Sequence, residues 1–419
     1  MSYQAPVREH RFLLEEVFDI SAYSALPGFA DAPPELVGQV LEEAARYCQE
    51  VLAPLNAVGD REGCKYDPAT AAVTTPAGFR DASRQMVESG WSALAADPAH
   101  GGQGLPFVVN LAFNEMASSA NMAFAMYPGL THGAFSAIQA FGTEEQKAMY
   151  LSKMAAGHWS GAMNLTEPQC GTDLGLIRTK AARAEDGSFR ITGEKIWISG
   201  GENDLSGNIV HLVLARIEGA PDGIKGLSLF IVPKFLPDEK GEPGQRNGFK
   251  CAGLEEKMGI HGNSTCFMSY DGATGWLLGE EGRGLNHMFV MMNEARLGVA
   301  VQGLAQAEAA QQAAVAFARE RLQGRSLTGA KNPDGPADPI MVHPDVRRML
   351  MDSRAVIEAG RALLFWTILH QDLETRQPDE AAREKAADTV AVLTPVVKAF
   401  LTGRGFQMWS DAMHVHCGS

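Results

Sequence analysis

The sequence predicts a mainly helical protein with a β domain set into its middle. Three changes of hydrophobic period carry that prediction. Apolar residues recur at helix spacing from about residue 33 to 160. Between about 160 and 280 they gather in continuous runs bounded by turn residues. From Gly284 onward the helical period returns. The expected domains are therefore 1–160, helical; 161–282, β; and 283–419, a helical bundle lacking one element.

The first helix starts behind Pro33-Pro34, where Leu36, Val37, Val40, Leu41, Ala44, Cys48, Val51, Leu52 and Leu55 keep helix spacing. HGGQGLP at 100–106 breaks it, and a second helical run follows through 107–140. Thr143 with Gln146 forms a capping box for the helix that enters KAMYLSKM. Asp186-Gly187 lies between two β-like runs and marks a hairpin. NIVHLVLAR (208–216) and GLSLFIVPK (226–234) are apolar enough for strands covered on both faces, and the Pro- and Gly-rich stretch 236–249 reads as a surface loop. Three helices are expected at 284–321, 343–373 and 379–403, with loops at 322–342 and 374–378. The dense alanines of QGLAQAEAAQQAAVAFA suit close helix packing.

A formal net charge of −14 disfavours nucleic acid and anionic lipid as partners. Cys48, Cys64, Cys170, Cys251, Cys266 and Cys417 never fall into a C-x-x-C spacing, so they read as reduced thiols and a cytoplasmic location is expected. The polar start MSYQAPVREHRF carries no secretory core, and no run of about eighteen apolar residues predicts a membrane span. P-loop, G-x-S-x-G, H-E-x-x-H and strand-to-helix G-x-G-x-x-G motifs are absent. HVHC at 414–417 offers metal-ligand types, but a chain-end cluster of this kind is weak, and no metal is expected.

Residues 163–175, MNLTEPQCGTDLG, place hydroxyls and carboxylates around Pro168 and Gly171, which force a turn after the strand-like LT. Backbone N–H groups at such a turn suit an electron-rich ring or a phosphate. Taken alone, a turn capped by Asp173 and Thr172 is the simpler reading. About twenty-five residues later comes EKIWISGG, where Trp197 and Ser199 share a strand face and offer a flat wall with a hydroxyl at its rim. Arg321, at the end of FARERLQGR, is either a solvated helix-end cation or a guanidinium for a diphosphate.

In this order the pieces resemble the acyl-CoA dehydrogenase family. LTEPQCGTD is similar to its Thr-Glu-Pro signature and WIS to its Trp-Ile-Ser/Thr strand. EGRGL and NEARLGVAVQG resemble the start of its C-terminal bundle. FARERLQGR resembles its Tyr-Ala-x-x-Arg motif, with Phe317 for tyrosine. AMHVHCGS is similar to its Gln-Val-x-Gly-Gly turn, with His414 for Gln and Cys417 for Gly. The likeness covers nearly the whole chain. YQAPVREHRFLLEEVFDI, LEEKMGIHGNSTCFMSYDGATGWLLGEEGRGL and LTPVVKAFLT bring it closest to the branch acting on 3-methylmercaptopropionyl-CoA.

The resemblance implies a helical N-terminal domain, a β-barrel-like middle domain, a C-terminal bundle and bound FAD. It places the loop from Met163 to Thr172 against the flavin, with Leu165 and Thr166 at the ring and Gly171 and Thr172 near its side chain. Trp197 and Ile198 would lie beside it, with Ser199 donating near N5. Arg321 and Gln323 would reach the diphosphate from a neighbouring subunit, and His414 and Gly418 the adenosine end. Thr172, Asn293 and Arg296 would seat an acyl-CoA. It further implies an electron-transfer flavoprotein as acceptor and a homodimer or homotetramer. A non-catalytic flavin or acyl-CoA binder is the alternative, as is another flavoenzyme of this fold, an oxidase or the alkylation-response type.

One departure concerns the catalytic base. The family's glutamate follows the Gly-Gly turn, which puts it beyond Ser419, and relatives that place it before the equivalent of Arg296 have no counterpart in Ala295. Glu294 lies about 200° round the helix from Arg296 and reads as a surface or packing residue. Residues 1–419 are thus expected to lack the base.

Overall fold

The computed structural model describes residues 3–417. The chain divides into two units: Met1–Ala53 with Leu105–Met122 and Arg296–Ser419, and Pro54–Gly104 with Ala123–Ala295. Among the described residues six helices exceed ten residues: α1 (Pro34–Tyr47), α2 (Phe107–Phe141), α3 (Glu144–Ala155), α4 (Gly284–Glu320), α5 (Pro344–Arg376) and α6 (Glu380–His416). Pro34 opens α1, where its fixed φ suits a first turn whose N–H groups need no helical partner. At the start of α3 the Gln146 amide donates to Thr143 Oγ1 (3.3 Å) and the Thr143 amide to Gln146 Oε1 (3.0 Å). This is the capping box that the sequence predicts. α2 is broken at Asn121 (φ −158°, ψ 88°), and the division between the units falls beside that break.

Seven strands form the main sheet: β1 (Trp159–Asn164), β2 (Lys180–Arg183), β3 (Phe189–Ser199), β4 (Asn208–Ile217), β5 (Leu227–Pro233), β6 (Phe249–Leu254) and β7 (Thr265–Leu278). β7 pairs with β3, β3 with β2, β2 with β4, β4 with β5, and β5 with β7 again. That circuit closes a barrel and removes free sheet edges from its five strands. β6 is added beside β7, and β1 runs parallel to β4. Asp186-Gly187 joins β2 to β3 as the hairpin signal requires.

β4 is covered on both faces, which explains its largely apolar run, interrupted by the buried His211. Ile209, Val213, Ala215 and Ile217 face the barrel interior with Phe230, Cys266 and Met268. Val210, Leu212 and Leu214 face outward onto Ile138, Leu151, Met154 and Met291 of the helices in the same unit.

Three expectations need correction. Residues 236–249 are not purely loop, because Phe235–Pro237 and Pro243–Arg246 pair as a short hairpin. The last helix runs on past 403 to His416, and so it takes in part of the HVHCGS stretch matched to a turn. Glycine does not stop it because the bundle uses Gly405 for close approach: a Cβ there would stand 2.7 Å from the Gly303 carbonyl oxygen of α4. α6 also contains a stretch of mean hydropathy 1.3, long and apolar enough to cross a bilayer, where none was expected from sequence; it packs against α5.

The other unit is centred on buried charge. Arg361 of α5 donates to Glu115 of α2 (2.8 and 2.9 Å) and to Glu308 of α4 (2.8 Å), and His10 lies 2.9 Å from Glu115. Arg361, Glu115 and His10 expose no side-chain surface. Burial pushes the Glu115 carboxyl up, yet Arg361 and His10 outweigh it and hold the group at about 2. Replacing Arg361 by Met should strand two carboxylates and destabilise the protein by about 3–5 kcal/mol. Urea unfolding of the variant measures this; a loss under about 1 kcal/mol would show that the cluster does not hold the helices together.

Candidate active site

β1 ends at Asn164, two residues earlier than LT suggests, and the chain then turns tightly. The Glu167 amide donates to the Cys170 carbonyl (2.8 Å) and the Cys170 amide to the Glu167 carbonyl (3.0 Å), enclosing Pro168 and Gln169. Leu165 is buried, Thr166 half-buried, and Gly171 and Thr172 exposed. Asp173 Oδ1 accepts the Gly175 amide (3.1 Å), so part of the simple capped-turn reading holds.

Glu167 anchors this turn. Its Oε1 accepts from Lys195 Nζ (2.8 Å), Thr179 Oγ1 (2.6 Å) and the Thr179 amide (3.1 Å). Its Oε2 accepts from the Arg178 amide (2.7 Å) and Gln169 Nε2 (2.6 Å). Burial raises the carboxyl, but Lys195 and these donors hold it at about 2. Lys195 is wholly buried and gives a further bond to the Leu165 carbonyl (2.9 Å). Sequence reading missed both residues as a pair.

The reason lies in β3. Ile198 pairs with Cys266 and Lys195 with Met268, so Ile196 and Trp197 together oppose Phe267 alone. This is a β-bulge, and Trp197 takes the left-handed conformation there (φ 61°). Up to Lys195 the odd-numbered positions face inward; beyond the bulge Ile198 does. Trp197 is turned out, 49% exposed, with Ser199 on the same outer side, as expected. Strict alternation from an outward Trp197 would have put Lys195 outside as well. Behind Ser199, the Gly200 amide donates to the Ser264 carbonyl (2.7 Å) and the Ser264 amide to Tyr127 Oη (2.9 Å), which fixes the end of the strand.

Met163, Leu165, Thr166, Gly171, Thr172, Trp197, Ile198 and Ser199 thus belong to one unit and two adjoining segments. The Thr166 carbonyl accepts the Ile196 amide (2.9 Å). Met163 is partly buried against the outer core, and Ile198 points into the barrel, leaving only its backbone for a ligand. Arg321 and Gln323 are exposed just past α4, in the other unit. His414 is exposed on α6, in a helix rather than in the expected turn. Phe317 stacks on His416 at 4.9 Å, which brings the ends of α4 and α6 together and Arg321 and His414 to the same end of that unit. Gly418 lies outside the described residues. Asn293 is exposed and Arg296 half-buried on α4, one in each unit.

Glu294 is no surface residue. Its side chain is 17% exposed, its Oε2 lies 3.8 Å from His132 Nε2, and burial raises its carboxyl above the ordinary value.

An outward indole, a hydroxyl at its rim and exposed turn donors beside it make a donor set that fits the edge and face of a flavin ring. The comparisons agree with that fit. Profiles of the acyl-CoA dehydrogenase N-terminal domain and middle domain match residues 37–158 and 162–273. The chain belongs to the acyl-CoA dehydrogenase family and is an FAD-dependent oxidoreductase.

Among its relatives is the 3-methylmercaptopropionyl-CoA dehydrogenase of Ruegeria pomeroyi, 46% identical over 418 residues, which span 100% of this chain and 70% of that protein. The broad-specificity linear acyl-CoA dehydrogenase FadE5 of Mycobacterium tuberculosis is 37% identical, with 100% and 69% covered. The fold is shared with Caenorhabditis elegans ACDH-11 in complex with C11-CoA, at a TM-score of 0.78, 18% identity and 97% and 67% coverage. It is also shared with a Bacillus anthracis acyl-CoA dehydrogenase complexed with FAD, at 0.75, 23% identity and 92% and 61% coverage.

The bulge makes a specific prediction. A side chain at a left-handed position costs about 1–2 kcal/mol relative to glycine. Trp197→Gly should therefore be more stable than Trp197→Ala by about 1 kcal/mol, while both bind FAD more weakly than wild type. Denaturant unfolding of the apo variants and FAD titration check the two halves. Equal stability of the two variants would argue that position 197 is not left-handed in solution.

Proposed function

We propose that this protein oxidises a short acyl-CoA thioester between its α and β carbons, with 3-methylmercaptopropionyl-CoA as the first candidate and short- or medium-chain acyl-CoA next. The observation that carries the substrate is the 46% identity, along the whole chain, to an enzyme named for that thioester. Bound FAD supplies the hydride acceptor. The chain's own residues bind and orient. Leu165, Thr166, Gly171 and Thr172 line one side of the ring, Trp197 covers it, and Ser199 directs a hydroxyl at its rim. Arg321 and Gln323 grip a diphosphate from a neighbouring subunit, with His414 and Gly418 toward the adenosine.

Thr172, Asn293 and Arg296 seat the acyl-CoA. A weakly acidic α C–H loses its proton only when donors stabilise charge on the thioester carbonyl and a carboxylate takes the proton. We assign that carboxylate to none of the described residues: Glu294 is turned to His132 and packs.

An electron-transfer flavoprotein is the proposed acceptor, and the cytoplasm the proposed location. A homo-oligomer is supported by the exposed apolar side chains of α6, Val392, Val396, Phe406, Trp409 and Met413.

The test is anaerobic addition of acyl-CoAs to the FAD-loaded protein. 3-Methylmercaptopropionyl-CoA should bleach the flavin faster than a long-chain acyl-CoA, and Glu294→Gln should bleach as wild type does. Bound FAD that no acyl-CoA bleaches would leave a binding protein of this fold instead. Loss of bleaching in Glu294→Gln would make Glu294 the base.

A further inference from the structure

The Leu165–Thr166–Glu167 segment sends two consecutive carbonyls toward β3. The Thr166 carbonyl meets the Ile196 amide at 2.9 Å, an ordinary backbone bond. The Leu165 carbonyl has no amide opposite and meets Lys195 Nζ instead, at 2.9 Å. An extended strand alternates the direction of its carbonyls, so a ladder alone cannot bind both from one side. The ammonium supplies the donor that the ladder lacks.

A trans peptide is planar, and its N–H points opposite its C=O. With the Leu165 carbonyl drawn onto Lys195, the Thr166 N–H is turned the other way. The next amide, that of Glu167, is spent on the Cys170 carbonyl inside the turn. Thr166 N–H is therefore the free outward donor of this segment. Lys195 reaches the Leu165 carbonyl only because the bulge at Ile196 and Trp197 keeps it inward while Trp197 faces out.

We propose that Lys195 is a positioning residue for the flavin: it never touches the ring, but it fixes the Leu165–Thr166 peptide so that the Thr166 amide donates to a ring acceptor. Glu167 is its counter-charge and ties the same turn to Arg178 and Thr179, just before β2. This rests on the flavin lying against residues 163–172, as proposed above. The bland alternative is a plain staple holding the turn to the barrel. A staple needs only cohesion, which neutral side chains of similar volume supply as well as an ion pair. Positioning needs a donor at the Leu165 carbonyl.

The double variant Lys195→Met, Glu167→Gln separates the two. It removes both charges together and leaves an amide oxygen for Thr179. The apo protein should unfold near the wild-type temperature. FAD affinity should fall about tenfold, the order of one lost hydrogen bond, and the visible spectrum of the bound flavin should move toward that of free FAD. A double variant that binds FAD within twofold of wild type, with the wild-type spectrum, would overturn the proposal.

Should the double variant not fold, Glu167→Gln alone decides, because it leaves Lys195 on the Leu165 carbonyl. Its thermal stability should fall while FAD affinity and spectrum stay close to wild type. Loss of FAD affinity in step with stability would mean a staple. Wild-type protein that binds no FAD would sink the flavin reading together with this one, whereas wild-type binding with unaffected variants would sink this one alone.

Discussion

The two-against-one pairing of Ile196 and Trp197 with Phe267 decides which way four successive side chains of β3 face. It turns an indole out of the barrel without turning the neighbouring lysine out with it. A non-glycine residue in the left-handed region costs on the order of 1–3 kcal/mol and persists only where its surroundings over-determine it. Here they do. Lys195 is held from within by Glu167 and Leu165, and the strand is paired on both sides of the bulge.

The closed barrel is what allows such a distortion to be local. β3 lies between β2 and β7 in a ring without free edges, so a bulge bends one strand without opening the sheet. β4, apolar on both faces, joins the barrel interior to the helices outside. The loop after β1 anchors itself in the outer core through Leu165, Cys170, Leu174 and Ile177, which leaves Gly171 and Thr172 beside them, and Trp197 on the outer side of β3, exposed. Buried charge performs the comparable task in the other unit, where Arg361 ties helices α2, α4 and α5 together.

Much of this was legible in the residues themselves. Largely apolar runs announced β4 and β5, Asp186-Gly187 announced the hairpin, and Thr143 with Gln146 announced the cap of α3. The outward pair Trp197 and Ser199 followed from their spacing, and LTEPQCGTD with WIS carried the family. What stayed hidden is what depends on a single inserted residue. Parity arguments assume strict alternation, and nothing in EKIWIS marks where it fails. Lys195 and Glu167 are 28 residues apart, so their pairing could not be read from local spacing. The run of α6 past Gly403 and Gly405 was obscured for a related reason. Glycine usually ends a helix, but at Gly405 the facing helix comes close enough to need it, while a Cβ at Gly403 would meet nothing within 4 Å.

The central claim is that the bulge and the buried lysine together turn the Thr166 amide and the Trp197 indole toward one ligand. The most direct measurement is a crystal structure of the protein loaded with FAD. It should show the flavin ring against Trp197, the Thr166 N–H donating to a ring heteroatom, and the Leu165 carbonyl still on Lys195. A flavin bound away from residues 163–172, or a Leu165–Thr166 peptide flipped so that its carbonyl faces the ring, would contradict the account.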